Sequence, residues 1–308
     1  MELLRATFLS IEGLADRTVS FADSAGRANP VTLLTGPPAS GKTRMLSALI
    51  AAKEVIAPYG LPVTAQSFIR RGTAAAKVEL TFQLSENEQK LCGGIEPIVE
   101  AEALFNGNRC SAEVDAGFAS LVERYEHDPR YPKFDYFPAN RALPPPGAAQ
   151  GLSAFEQRIW RLKAEPRKYG FVPRLLLSLA TDAAARARFE SALAGLSSTV
   201  RYCTPRVEDA LSCFSSRGSE PRSTDALSTS EVDAIIFAAT ATMVRHESSI
   251  VLVDRPESAV DEVSLPAWLD GLRGLAPDVQ LIVASGSPAL RGCVPPAATI
   301  SLSSGVAP

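Results

Sequence analysis

The run Gly36-Pro37-Pro38-Ala39-Ser40-Gly41-Lys42-Thr43 fits the spacing G-x-x-x-x-G-K-[ST]. Residue types in this order suit a polyphosphate. Glycines let the loop fold back so that backbone N–H groups point inward, and a following helix adds the partial positive charge of its N-terminus. Together these can hold α- and β-phosphates. Lys42 is placed to reach the β- and γ-phosphates, Thr43 to offer its hydroxyl to Mg²⁺, and Arg44 completes the set of loop residues next to the nucleotide. A second acidic element lies far along the chain. Ser249–Val253 is an all-apolar strand after its first residue, and it ends in Asp254, a carboxylate suited to sit beside the loop and help hold Mg²⁺.

These side chains need elements to position them. Val31–Leu34 reads as a short buried strand before the loop, and Lys42 to about Ile56 reads as the helix after it. Two antiparallel strands, about Leu4–Ile11 and Arg17–Phe21, open the chain. Ser67–Arg71 and Ala75–Gln83 read as further antiparallel strands, and Phe134–Phe137 as a strand ending at Pro138. The breaker cluster Leu143-Pro144-Pro145-Pro146-Gly147 marks a boundary. Beyond it Phe155–Lys163 and Pro173–Leu196 are helix-prone, the first as an amphipathic helix whose Trp160 faces the core. Residues 214–226 read as a Ser/Arg loop. In the last third, helices over Ser228–Val244 and Leu265–Leu275 alternate with apolar strands over Ser249–Val253, Val279–Ala284 and Thr299–Leu302, which implies a parallel sheet buried on both faces.

Composition sets limits. The 308 residues are 46% hydrophobic and 21% charged, enough for a sizeable core in one α/β domain with an embedded subdomain. The net charge of −3 provides no overall field toward nucleic acid, so a nucleic-acid partner has no support from charge. Five scattered cysteines without a CxxC pair read as reduced thiols, and two histidines, with His246 read as a solvated loop residue, make zinc improbable. No apolar run is long enough to span a bilayer and the N-terminus does not read as a signal peptide, so no membrane association and a cytoplasmic protein are expected.

The order of these motifs resembles the ABC-type ATPase heads of the RecF and SMC group, above all the compact AAA-type ATP-binding members without a long coiled coil. Arg5–Phe21 is similar to the opening strands, Phe68–Gly72 with Lys77–Phe82 to the strand pair after the first helix, and Phe137–Arg141 to the Q-loop region. Leu227-Ser228-Thr229-Ser230-Glu231 looks like the signature motif, Ile250–Asp254 like Walker B, Ser258–Asp261 like the D-loop, and Leu281–Pro288 like the switch strand. The resemblance implies a P-loop NTPase of the ABC-ATPase head type. Its central sheet would be mixed or parallel, with N-terminal antiparallel strands and a helical subdomain: a nucleotide-binding lobe over 1–142, the helical subdomain over 143–226, and a signature and Walker B lobe over 227–308. It implies ATP and Mg²⁺ as ligands, and an ATP-dependent homodimer, or a heterodimer with another head or effector. Ser228, Thr229, Ser230 and Glu231 would then contact the γ-phosphate held by the opposite subunit; alternatively Ser228 and Glu231 are only a capping box that starts a helix.

The chain also departs from the family pattern. Arg255 stands where the catalytic glutamate follows Walker B aspartate, and a guanidinium cannot accept a proton. Gly286 stands at the switch-histidine position, Ser230 replaces the signature glycine, and Asn140 is the nearest amide to the absent Q-loop glutamine. Loss of a positioned base costs roughly 10²–10⁴-fold in rate, so ATP binding with slow or absent hydrolysis is expected. Glu257 is the remaining catalytic candidate, with a structural role the alternative. Arg70, Arg71 and Arg141 are either contacts for phosphate, DNA or a partner, or locally paired surface groups. Three functions remain: a nucleotide-dependent switch, a working ATPase of DNA repair or anti-phage defence, and a transport ATPase subunit, the last disfavoured by the missing glutamine.

Overall fold

The computed structural model describes residues 1–144, 152–204, 214–216, 220–276 and 278–303. Two five-stranded sheets share one continuous apolar core. The first is antiparallel: β1 (Glu2–Leu9), β2 (Arg17–Ser20), β4 (Ala75–Gln83), β5 (Ile98–Asn106) and β6 (Arg109–Glu113), in the order β2-β1-β4-β5-β6. β4 alternates buried and half-buried side chains along its whole length, the period-2 pattern of a sheet with one face on the core.

The second sheet is wholly parallel, in the order β12-β3-β11-β10-β7, from β3 (Val31–Thr35), β7 (Phe134–Phe137), β10 (Ile250–Asp254), β11 (Gln280–Ala284) and β12 (Thr299–Ser301). Every residue of β3, β7, β10 and β11 is buried, as strands covered on both faces must be. One neighbour, β11, separates β3 from β10, and all the strands point the same way. The loops after β3 and β10 therefore emerge at one edge, where open α/β sheets bind ligands.

Helix α1 (Lys42–Ile56) follows β3 with the bounds expected from sequence. Two short helices, α2 (Glu86–Leu91) and α3 (Ala116–Glu123), flank the β5–β6 hairpin. Next come α4 (Ala154–Trp160), α5 (Val172–Ser178) and α6 (Ala183–Leu196), then a two-stranded ribbon of β8 (Val200–Tyr202) and β9 (Phe214–Ser216), and finally α7 (Thr229–Val244) and α8 (Leu265–Arg273). α6 and α8 meet backbone to backbone: a Cβ at Gly271 would lie 2.2 Å from the Gly195 carbonyl oxygen. Among the described residues no helix is long and apolar enough to cross a membrane.

Several expectations change. Residues 67–71 are not a strand. Ala65–Ser67 is a 3₁₀ turn, Ile69 makes one isolated bridge to Ile11, and a turn closed by Thr73 N–H on Arg70 O ends the pairing. The Pro173–Leu196 segment is two helices, because Asp182 caps a fresh start by accepting from Ala185 N at 2.9 Å. Phe214–Ser216 is a strand rather than loop. Phe155 on α4 is 71% exposed and Trp160 only half-buried, with Lys163 Nζ 4.1 Å from its ring, so that helix does not turn its aromatics to the core. The breaker residues Pro145, Pro146 and Gly147 lie outside the described residues.

His246 is buried, not solvated; its Nε2 lies 3.0 Å from Asp135 Oδ2. The other histidine titrates within the stability range. Burial, aided by the charges of Arg161 and Lys133, depresses the His127 imidazole to about 4 from 6.5. Below pH 6.5 the unfolded chain takes up a proton that the folded chain refuses until pH 4, so stability falls as pH drops through that window. His127→Phe keeps a ring against Tyr125 and is expected to flatten that part of the melting-temperature profile. Parallel profiles for the two proteins would exclude this origin.

Candidate phosphate-binding site

The loop at Gly36–Thr43 is fixed by close backbone approach. Gly36 has φ 150°, and a Cβ there would lie 2.2 Å from the Leu302 carbonyl oxygen and 2.6 Å from Ser40 Oγ. At Gly41, φ 92°, a Cβ would lie 2.6 Å from the Leu14 side chain and 3.0 Å from Gly13 O. The loop thus threads between the end of β12 and the β1–β2 turn, in a path that only glycine allows at these two points.

The start of α1 is open. Helices α2, α3, α4, α6 and α7 each have a Ser or Asp side chain accepting from the first turn, and α5 and α8 begin with a proline at one of their first two positions. α1 has Gly41 at its cap and no side-chain acceptor, so its first N–H groups remain available to an anion. Lys42 Nζ donates to Gly36 O at 2.7 Å and Pro37 O at 2.9 Å, which keeps the ammonium over the loop. Burial lowers its pKa, against Glu257 and Asp254, which raise it.

Asp254 closes the site. It is 3% exposed, and its two carboxylate oxygens accept from Thr43 Oγ1 at 2.9 and 3.1 Å across 211 residues of sequence. Burial raises its pKa, while the Thr43 hydroxyl and the Arg255 charge lower it. A cation binding there would favour the ionised form, and a hydroxyl beside a carboxylate is the hard-oxygen donor set that suits Mg²⁺. The residues present therefore fit an Mg²⁺–polyphosphate.

A cleft of about 450 Å³ runs along the loop, lined by Ala39 to Arg44 on one side and by Glu12, Gly13, Ser67 and Arg255 on the other. Of these, Glu12, Gly13 and Ser67 carry no sequence signal. Arg44 is clamped by the carbonyls of Glu12 and Ser67, with its guanidinium 4.6 Å from the Phe68 ring. Two lining residues hold left-handed backbones, Ala39 at φ 62° and Arg255 at φ 47°. Such non-glycine conformations cost on the order of 1–3 kcal/mol and cluster at functional sites. A larger cavity, about 770 Å³, lies over the open face of the antiparallel sheet, but Glu79, Glu100, Glu102, Glu113 and Asp115 line it and would repel a polyphosphate.

The remaining candidates divide. Pro37 and Pro38 lie in the loop itself, and Pro37 supplies one of the carbonyls under Lys42. Glu257 faces the strand end rather than open solvent: its carboxylate accepts from Ser285 Oγ at 2.7 Å and Gly286 N at 2.8 Å. Asn140 is exposed after β7 and makes no hydrogen bond to the loop or Asp254 among the described residues. Arg141, beside it, is not a surface group at all. It is buried, ion-paired with Asp233 of α7, and donates to the main-chain oxygens of Asp254 at 2.9 Å and Pro138 at 2.6 Å. Arg70 is paired with Asp16 at 2.6 Å. Ser228 and Glu231 form a full capping box, with Ser228 N to Glu231 Oε2 at 2.9 Å, and leave Ser228, Thr229 and Ser230 exposed at the start of α7.

No protein-family model and no curated protein sequence matches the chain. Solved structures do. An Smc head bound to the C-winged-helix domain of ScpA superposes with a TM-score of 0.63 at 12% identity, covering 96% of this chain and 93% of the other. The SMC head domain from Thermotoga maritima gives 0.52 at 14% identity over 96% and 92%. An Smc head with an extended coiled coil, bound to the C-terminal domain of ScpA and derived from Pyrococcus furiosus, gives 0.57 at 12% over 95% and 92%. The chain has the SMC-head fold. At this identity the likeness carries the fold alone, an antiparallel sheet beside a parallel sheet with helices. The site chemistry of this head rests on its own residues.

Proposed function

We propose that this SMC-like head binds ATP–Mg²⁺ in the cleft after β3 and uses it to join a second head, with slow or absent hydrolysis in the isolated chain. One observation carries the reading. The Thr43 hydroxyl meets the Asp254 carboxylate at 2.9 Å directly beside a loop with free helix amides and a lysine. Amides of Ser40 to Arg44 would hold the α- and β-phosphates, Lys42 the β- and γ-phosphates, and Thr43 with Asp254 the metal. Mg²⁺, when bound, would neutralise part of the phosphate charge. The exposed Ser228–Ser230 turn would meet the phosphate held by the opposite head.

Slow hydrolysis follows from which groups can take a proton. Arg255 cannot. Glu257 spends its carboxylate on Ser285 and Gly286, which favours a bracing role over that of a base and weighs against the reading as a working repair or defence ATPase. Two of the structural neighbours carry bound ScpA, which supports a protein partner for this head as well. Light scattering of the purified chain is expected to show the mass doubling on addition of ATP–Mg²⁺, with no doubling in Lys42→Ala. An unchanged mass together with rapid phosphate release would overturn the switch in favour of a monomeric ATPase.

A further inference from the structure

We infer that Arg255 reads the terminal phosphate, so that this head tells a nucleoside triphosphate from a diphosphate with the side chain that replaces the expected base. The inference rests on the nucleotide reading above and assigns a ligand atom to a residue which that reading treats only as a loss.

The cations around the cleft are mostly committed. Lys42 lies on loop carbonyls, Arg44 is clamped between Glu12 and Ser67, Arg70 is paired with Asp16, and Arg141 is buried against Asp233. Arg255 is exposed, lines the same cleft, and its guanidinium has no hydrogen bond or ion pair among the described residues. Its charge nevertheless acts on both Lys42 and Asp254, so it stands close to the groups that take the β- and γ-phosphates and the metal. Glu257, two residues on, is not its ion-pair partner: that carboxylate is held by Ser285 and Gly286.

The backbone at Arg255 is fixed while its head is uncommitted. Its N–H donates to Ala284 O at 2.8 Å, and its carbonyl accepts from Ser258 N at 3.0 Å and Ser258 Oγ at 2.8 Å. The left-handed conformation at φ 47°, with Pro256 next, re-aims the chain as it leaves β10. A guanidinium brings five N–H donors in a planar fork that matches phosphate oxygens, and it stays charged at any working pH. The α- and β-phosphates already have the loop amides. The oxygens left for a group at the end of β10, on the Asp254 side, are those of the terminal phosphate.

Calorimetric titration of ATP–Mg²⁺ and ADP–Mg²⁺ into wild type, Arg255→Asn and Lys42→Ala tests this. Asparagine accepts a left-handed backbone better than most residues, so Arg255→Asn removes the charge with the turn intact, and Arg255→Gln serves as the length-matched second variant. Arg255→Asn is expected to weaken ATP about tenfold to a hundredfold, the range for hydrogen bonds to a charged group, and to leave ADP within about threefold. Lys42→Ala is expected to weaken both. An unchanged ATP affinity in both Arg255 variants, or an equal loss for ATP and ADP, overturns the assignment while nucleotide binding stands. Wild type that binds neither nucleotide overturns the underlying function and the assignment with it.

Discussion

Asp135→Ala is expected to cost about 3–5 kcal/mol of stability, the range for breaking a buried ion pair from one side. A typical domain has only about 5–15 kcal/mol to lose, so the variant should give up a large share of its stability and unfold at a clearly lower urea concentration. Asp135 sits on β7 with no exposed surface, and its carboxylate lies 3.4 Å from Arg161, 3.5 Å from Lys168 and 3.0 Å from His246, all buried. Burial alone would raise its pKa, but the Arg161 and Lys168 charges and His246 outweigh burial and hold it well below the usual range. The Lys168 ammonium is pushed down as well, to about 7, mainly by burial. Without the carboxylate, two cations from the segment after α4 would face only main-chain oxygens such as Lys168 O, 3.1 Å from Arg161. Asp135→Asn keeps the volume and one acceptor, and should fall between the two. Urea unfolding monitored by circular dichroism measures this series, and an Asp135→Ala midpoint equal to wild type would show that the charges find water instead.

That cluster marks where reading the chain residue by residue stops. The phosphate loop, α1 and the strand ending in Asp254 are legible because each is local: a glycine spacing, a helical period and an all-apolar run that identify themselves within a few residues. The capping box at Ser228 is legible for the same reason. Arg161, Lys168 and His246 carry no such mark, since their shared partner lies 26 to 111 residues away. A signal existed in Phe134-Asp135-Tyr136-Phe137, where one aspartate interrupts an apolar strand that the parallel sheet must bury on both faces. A charge there requires cationic partners from elsewhere. Arg141 is a similar case: Asn140 beside it is exposed, and two of the partners that hold it in the core, Asp233 on α7 and the Asp254 main-chain oxygen, are far away in sequence. The apparent strand at 67–71 failed for another reason. Its β-prone residues are real, but the turn at Arg70–Thr73 leaves room for a single bridge.

Lys42→Ala is expected to weaken ATP–Mg²⁺ by at least about a hundredfold while hardly changing the fold. The ammonium is only half-buried and donates to Gly36 O, Pro37 O and, at 3.4 Å, Ser40 Oγ. Its acceptors border the cleft, where water can replace it, so the stability cost should stay below about 1 kcal/mol, the net worth of an ordinary hydrogen bond. Binding differs in kind. A phosphate arriving at the loop takes the lysine from neutral carbonyls to charged oxygens. Each such contact is worth about 1.5–3 kcal/mol, and a lysine that spans β- and γ-phosphates makes two. The α1 amides and the Thr43–Asp254 pair remain in the variant, but of the cationic side chains lining the cleft Arg44 is clamped by carbonyls and only Arg255 is left uncommitted. Calorimetry against ATP–Mg²⁺, beside thermal unfolding of the free protein, separates the two effects. Equal affinity in Lys42→Ala and wild type would mean that the nucleotide sits somewhere other than the corner between β3 and α1.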